Sequence, residues 1–510
     1  MTRTVHRVGP ALAAACCLAA SLSLGACGGF DITNTNQPTQ TDLENHPTRS
    51  KLSAAATGIF SGARSDITGF IWQVGSMGRE GINLLGNNQP DYVEPFFGPV
   101  QAGGSFGGTN WVGYYAHIRS ANVYLRAVEK IATCAGATNE TCMTAEEKAA
   151  SRGMARTLKA LSFMYVIEQR AQLGAPVDVD RDVSEPPAPW VSEDGVWSYI
   201  VALLDSAQTD LVAAGTTAFP FSVPPGLSDF GDPGSYVAFN RALAAKANVL
   251  RATVQGGCGG NAGTCYTNAL TALNASFMSA APADFQSGAY FDFSHASGDL
   301  TNDLSEPLDG LNWFALGDAL GDAELQGNGR MDLRALQKID TATVTQILGG
   351  IPIPGKLKFT IYMNCQLDSL GASGCNADDS HGIPIIRNEE LILLRAEAEW
   401  FTGDQAGALA DLNIVRQSAG GLPPTTVTAA DPNAAFIAAL LYERRYSLLW
   451  EQGTRWIDAR RFNLLSTIPA DVPAGNVPEV MPVPQPECDA RNLPTKAFTP
   501  DVTTCTPLTP

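Results

Sequence analysis

Between Glu443 and Phe462 the chain carries eight charges, Glu443, Arg444, Arg445, Glu451, Arg455, Asp458, Arg460 and Arg461, interleaved with Leu448, Leu449, Trp450, Trp456 and Phe462. Half-buried arginines need carboxylates that accept two hydrogen bonds at once, and acids stand within two helical turns of these arginines. Such a stretch suits either an anion or substrate site or an ion-pair lattice that locks the last helix. The signs nearly balance locally, which favours the lattice.

A second set of residues suits ligand binding. Residues 64–110 place Trp72, Tyr92, Phe96, Phe97 and Phe106 among Gly75, Gly78, Gly81, Gly86, Asn87, Asn88 and Pro90. That composition predicts a long irregular loop bearing aromatics, which is poor core material and good binding surface. Flat aromatic faces suit the C–H surface of a sugar ring, and amides or carboxylates take its hydroxyls. Tyr290, Phe291, Trp313 and Tyr362 add rings from later in the chain. The candidate ligand contacts are Trp72, Asn88, Tyr92, Phe96, Phe97 and Trp313. Packing between loops and scaffold is the competing use of each ring.

Catalysis finds little support. The chain has no G-x-x-x-x-G-K-[ST], no G-x-G-x-x-G after a strand, no H-E-x-x-H and no G-x-S-x-G. Glu389/Glu390 and Asp378/Asp379 are adjacent acids, but neighbours in sequence say nothing of the separation that glycoside hydrolysis requires. Asp178, Asp180 and Asp182 alternate as the first calcium ligands of an EF-hand loop do. Val183 stands where that loop needs glycine and Pro189 where it needs its closing glutamate, so an acidic turn is expected there. No catalytic residue, metal site or cofactor is assigned.

The ends and the cysteines speak to location. Arg3 and Arg7 precede an apolar run, Ala11 to Leu24, too short to span a bilayer, and the run closes on Leu24-Gly25-Ala26-Cys27. This resembles the lipobox of bacterial lipoproteins, in which the new N-terminal cysteine is acylated, so Cys27 is the expected lipid anchor. Without residues 1–26 the chain has 31 basic and 51 acidic residues, a net charge of −20, which argues against nucleic acid as a partner. Eight cysteines remain in four close pairs, Cys134/Cys142, Cys258/Cys265, Cys365/Cys375 and Cys488/Cys505. They read as four disulfide-stapled loops of an exported protein.

These residues must be positioned by helices. Leu391, Leu394, Ala398 and Phe401 recur at steps of three and four, Gly403-Asp404 breaks the pattern, and Ala408, Leu412, Val415 and Ala419 resume it. Two short helices at a tight turn with a small residue at the contact make a tetratricopeptide-type hairpin, which needs neighbours to stack on. Further helices are predicted over 52–63, 111–131, 145–173, 197–214, 239–253 and 266–277. Residues 278–386 lose helical period and carry short β-like runs such as Lys358 to Tyr362.

The pattern ERRYSLLWEQGTRWIDARRF, following LLRAEAEW, TGD and ALADLNIVRQSAG, resembles the C-terminal signature of the SusD/RagB family. Four more segments resemble the family in its order: Cys27 to Thr39, Trp111 to Leu125, Ser151 to Val177 and Val480 to Asn492. The resemblance implies a mainly α fold, a tetratricopeptide-like helical-hairpin scaffold with a large irregular, loop-rich ligand face. The organisation expected is a lipoprotein signal peptide (1–26), an N-terminal region (27–277), an irregular excursion (278–386) and a C-terminal signature region (387–510). It further implies a non-catalytic lipoprotein, anchored in the outer membrane through its N-terminal lipid and surface-exposed. Such a protein binds an oligosaccharide or similar nutrient and hands it to a SusC-like TonB-dependent transporter. The alternatives are a peptide-binding RagB-like lipoprotein, or a scaffold of the transporter complex without a ligand of its own.

Overall fold

The computed structural model describes residues 40–491 apart from 87–89, 137, 183, 349 and 474. The signal segment, Cys27, Asn88 and Cys505 lie outside the described residues.

A run of helices forms the scaffold. Helix α1 (Arg49–Arg64) is followed by α2 (Ile67–Met77), α3 (Pro90–Phe97), α4 (Asn110–Lys130), α5 (Ala145–Arg170) and α6 (Glu193–Ala214). Then come α7 (Pro233–Arg251), α8 (Ala262–Asn274), α9 (Asn388–Thr402), α10 (Gln405–Ser418), α11 (Asn433–Ser447) and α12 (Thr454–Arg461). From α4 to α10 each helix lies against its successor, and α8 reaches α9 across the intervening 113 positions of chain. This is the serial contact pattern of a stacked-hairpin solenoid, in which each hairpin buries the face its neighbour leaves open. The fold is mainly α with a tetratricopeptide-like scaffold.

Local chemistry sets the helix ends. Thr144 and Glu147 form a reciprocal capping box at the start of α5, with the Glu147 N–H donating to Thr144 Oγ1 at 3.1 Å and the Thr144 N–H to Glu147 Oε2 at 3.0 Å. Gly403 ends α9 at φ 101°, a conformation that favours glycine, and Asp404 accepts from the Gly407 N–H at 2.9 Å to open α10. Ala408 is fully buried at the hairpin contact, and Trp400 stacks on Phe436 at 4.1 Å to carry the packing on to α11.

The segment between α8 and α9 makes most of the sheet structure. Strands β1 (Gly81–Asn83), β3 (Trp313–Ala315), β5 (Gly355–Phe359) and β4 (Ile339–Gln346) form an antiparallel sheet in that spatial order. β2 (Gly288–Phe291) pairs with β8 (Ile383–Arg387), and β6 (Met363–Asp368) with β7 (Gly371–Ala377). Cys365–Cys375 staples the last hairpin, while Cys134–Cys142 and Cys258–Cys265 close loops on the scaffold. The pairing of Cys488 with Cys505 falls outside the described residues.

The expectation of a loop over 64–110 is corrected. That segment holds α2, α3 and a single π-helical turn, Ser105–Thr109. α2 has no charged side chain between Ile67 and Met77, and it buries Ile67, Phe70, Ile71, Val74 and Met77 completely. A helix surrounded by protein on nearly all sides needs no charged face, so the charged residues that mark the other helices are missing here.

Candidate ligand-binding site

Trp72 projects from α2 away from its buried stripe and is half-buried. Trp313 opens β3, where strand alternation sends Phe314 into the core and leaves Trp313 half-buried on the other face. The two indoles meet with centroids 5.6 Å apart and planes at 34°. Phe106, from the π-helical turn, stands edge-on to Trp72 at 5.4 Å. Behind Trp313 lie Trp450 at 6.5 Å and Phe359, which stacks on Trp450 at 4.3 Å.

Two glycines admit the buried member of this arc. A Cβ on Gly75 would sit 2.5 Å from Trp450 Cζ3, and one on Gly81 would sit 2.6 Å from the same atom and 2.7 Å from Phe359. Either methyl would displace the ring. Trp450 itself adopts φ 56°, and its N–H donates to Glu80 Oε2 at 3.3 Å. Burial pushes the Glu80 carboxyl up to about 7.

Polar contacts hold Trp313 and the segments around the two rings. Trp313 Nε1 donates to the Asp303 carbonyl at 2.8 Å, and the Asn312 and Trp313 N–H groups donate to Glu306 at 2.9 and 3.0 Å. Lys358 pairs with the same carboxylate. Asn83, opposite Trp313 in the sheet, donates to Asp91 Oδ2 at 3.0 Å. Gln73 donates to the Ser105 carbonyl at 3.1 Å and accepts from Asn110 at 2.7 Å, fixing the π-helical turn beside Trp72. Burial raises the Asp91 and Glu94 carboxyls, against hydrogen bonds from Ser105 and Asn83 to the first and from the Gln101 N–H to the second. An aromatic arc with carboxylates and amides at its edge can hold a flat, hydroxylated ligand.

Of the sequence candidates, then, Trp72 and Trp313 are brought together. Phe96 is fully buried under the Arg79 guanidinium at 4.1 Å, and Tyr92 is 8% exposed in the same small core as Ile82, Leu84 and Phe314. Phe96 and Tyr92 are corrected to core residues, since α3 turns them inward. Phe97 is half-buried against that core. Asn88 lies outside the described residues. Phe106, foreseen among the aromatics of 64–110, and Phe359 and Trp450, which sequence reasoning did not place here, are buried rings that back the arc; the glycines at 75 and 81 were the signal that a large ring approaches closely there.

The other candidate acids are engaged. Arg181 pairs with Asp178 at 2.6 Å, Arg126 with Asp180, and Ser184 donates to Asp182. Glu389 bonds Arg387 and Ser447, and Glu390 pairs with Lys246 at 3.1 Å. Asp379 pairs with His295 at 2.8 Å.

The C-terminal charges form a lattice, with a correction to its reach: most partners come from other elements. Glu397 on α9 takes both Arg444 at 2.7 Å and Arg461 at 2.5 Å, Glu443 takes Arg334 and Arg416, and Arg445 and Arg455 share Asp318. Burial works to raise the Glu397 carboxyl, but Arg461 and Arg444 overcome it and hold the group below the usual range.

Residues 359–498 match the model of the SusD family. Among curated proteins none matches the chain. Solved structures similar to it include a SusD-like protein from Bacteroides fragilis, at 14% identity and TM-score 0.61, covering 89% of this chain and 97% of that one. NanU of B. fragilis is similar at 16% identity and TM-score 0.57, covering 91% and 98%. A laminarin-binding SusD-like protein is similar at 16% identity and TM-score 0.58, covering 86% and 97%.

Proposed function

We propose that the chain is a member of the SusD/RagB family, on the match of residues 359–498 to the SusD family model and a fold shared with SusD-like structures, and that it is a non-catalytic surface lipoprotein that captures an oligosaccharide. The sugar is held at Trp72 and Trp313 and passed to a SusC-like TonB-dependent transporter of the outer membrane. The observation that carries this is the 5.6 Å contact between two half-buried indoles that arrive from α2 and β3, far apart in the chain. Indole faces bury the C–H surface of a pyranose, and fixed amides and carboxylates beside them select hydroxyl patterns. A relative named for binding laminarin supports the ligand class, and the Leu24–Cys27 segment supports lipid anchoring. Little needs to move within such a site, since a preformed aromatic face binds without ordering a loop.

The test is a glycan array probed with the mature chain carrying Cys27→Ser, alongside affinity capture of membrane partners by the lipidated form. Selective retention of one oligosaccharide class, together with co-purification of a β-barrel transporter, is the expected result. An array with no retained glycan overturns the ligand assignment, and capture without a transporter overturns the delivery role.

A further inference from the structure

Arg460 is the exception in the C-terminal lattice. Its Nη1 and Nη2 donate only to backbone carbonyls, of Glu479 at 3.2 Å and Glu168 at 2.5 Å, and its guanidinium packs over the Trp456 ring at 4.5 Å. Among the described residues no carboxylate pairs with it, whereas Arg444, Arg445, Arg455 and Arg461 all have acidic partners. Arginine offers five N–H donors, so further ones remain for an acceptor.

Arg460 lines a cavity of about 320 Å³ between the end of α5, the start of α6, the end of α7 and α12. Glu168, Glu193 and Glu479 line the same space. Glu168 is 2% exposed, and neither of its carboxylate oxygens has a hydrogen-bond partner. A buried carboxylate left without a donor is costly, and such groups call for an explanation. Burial depresses the Arg460 guanidinium, and Glu193, Glu168 and Glu479 act against that, so the four charges sense one another without pairing. Trp197, Ile167 and Leu250 supply an apolar wall. Ala171 at φ 43° and Asn463 at φ 58° line the cavity in backbone conformations that non-glycine residues seldom adopt.

Arg461 also lines the cavity but is neutralised by Glu397 and Asp458, so Glu193 and Glu479 outnumber Arg460 even while Glu168, pushed up to about 7 by burial, keeps its proton, and the net negative cavity selects a cation. The apolar wall of Trp197, Ile167 and Leu250 beside these acids suits an organic cation, whose carbon skeleton it can cover. We propose that this cavity binds a small organic ammonium ion bearing an oxygen acceptor near its nitrogen, the chemistry shared by a free amino acid and an amino sugar. The ammonium group lies among Glu168, Glu193 and Glu479, and the oxygen accepts from Arg460. The cavity shares no lining residue with the Trp72–Trp313 arc, so this inference stands apart from the glycan site.

Calorimetric titration of the mature chain carrying Cys27→Ser with L-leucine, glucosamine and N-acetylglucosamine tests this. Binding of at least one of the two amines at millimolar concentration or better is expected, with N-acetylglucosamine about tenfold weaker or absent. Leucine alone marks an amino-acid site, and glucosamine alone an amino-sugar site. Glu193→Gln and Arg460→Gln each weaken the bound amine by about tenfold; because Glu479 is exposed, Glu479→Gln gives a weakened variant whose fold is not at issue. Affinity unchanged in a Trp72→Ala/Trp313→Ala variant assigns the binding to the cavity. Absence of both amines up to about 10 mM, or equal binding of the N-acetylated sugar, overturns the proposal.

Discussion

Arg387, at the end of β8, and Glu451, in the turn after α11, form a two-point pair, with Nε to Oε2 at 2.9 Å and Nη2 to Oε1 at 3.0 Å. Both are buried, and Lys338 adds a third charge at 2.9 Å from Glu451 Oε1. This contact ties the strand that launches α9 to the turn that carries Trp450, so the scaffold and the aromatic arc share one ionic joint. Removing one member strands the other in the interior. Arg387→Met or Glu451→Gln is expected to lower unfolding free energy by about 3–5 kcal/mol, and a double variant with apolar residues at both positions to lose less than the two singles combined. Denaturant titration of the four forms checks this.

The arc depends on the missing side chain at residue 81. Gly81→Ala places a methyl where Trp450 and Phe359 already stand, at 2.6 and 2.7 Å. A stability loss of about 1–3 kcal/mol is expected, with a shift in tryptophan emission as Trp450 and Trp313 move apart. Thermal melts and fluorescence report the two effects separately.

Glu80 gives the fold a pH dependence of defined sign. Its carboxyl, ordinarily near 4.5, is pushed up to about 7 by burial. Between those values the folded chain keeps a proton that the unfolded chain releases, so this group makes stability highest below about pH 4.5 and lowers it as pH rises to about 7. Glu80→Gln removes that slope. Unfolding free energies of both forms at pH 5 and pH 8 are the check; an unchanged difference between the two pH values would contradict the assignment.

The helices of the scaffold were legible wherever one face meets water. Tyr114, Ile118, Ala121 and Leu125 mark α4 because their opposite face is polar, and Gly403-Asp404 marks the α9–α10 turn because its chemistry is local. α2 and α3 escaped notice for opposite reasons. α2 is apolar nearly all round, and α3 opens on Pro90, holds Pro95 internally and follows a Gly/Asn run. Trp72 and Trp313 were each identifiable as candidate rings, but their contact depends on a sheet that pairs Asn83 with Trp313. No local pattern encodes that pairing. The lattice was foreseeable in kind, yet Glu397, Arg334 and Arg387 could not be assigned as partners, because burial of a charge is decided by which elements close over it.

The central claim is that Trp72 and Trp313 together grip a sugar. Calorimetric titration of the best-retained oligosaccharide into the mature chain, into each single alanine variant and into the Trp72→Ala/Trp313→Ala variant tests it most directly. The account predicts a loss of about tenfold or more for either single change and no detectable binding for the double; both rings pack on the main core, so each change also lowers the melting temperature, and binding is read well below it. Full affinity in the double variant would contradict it.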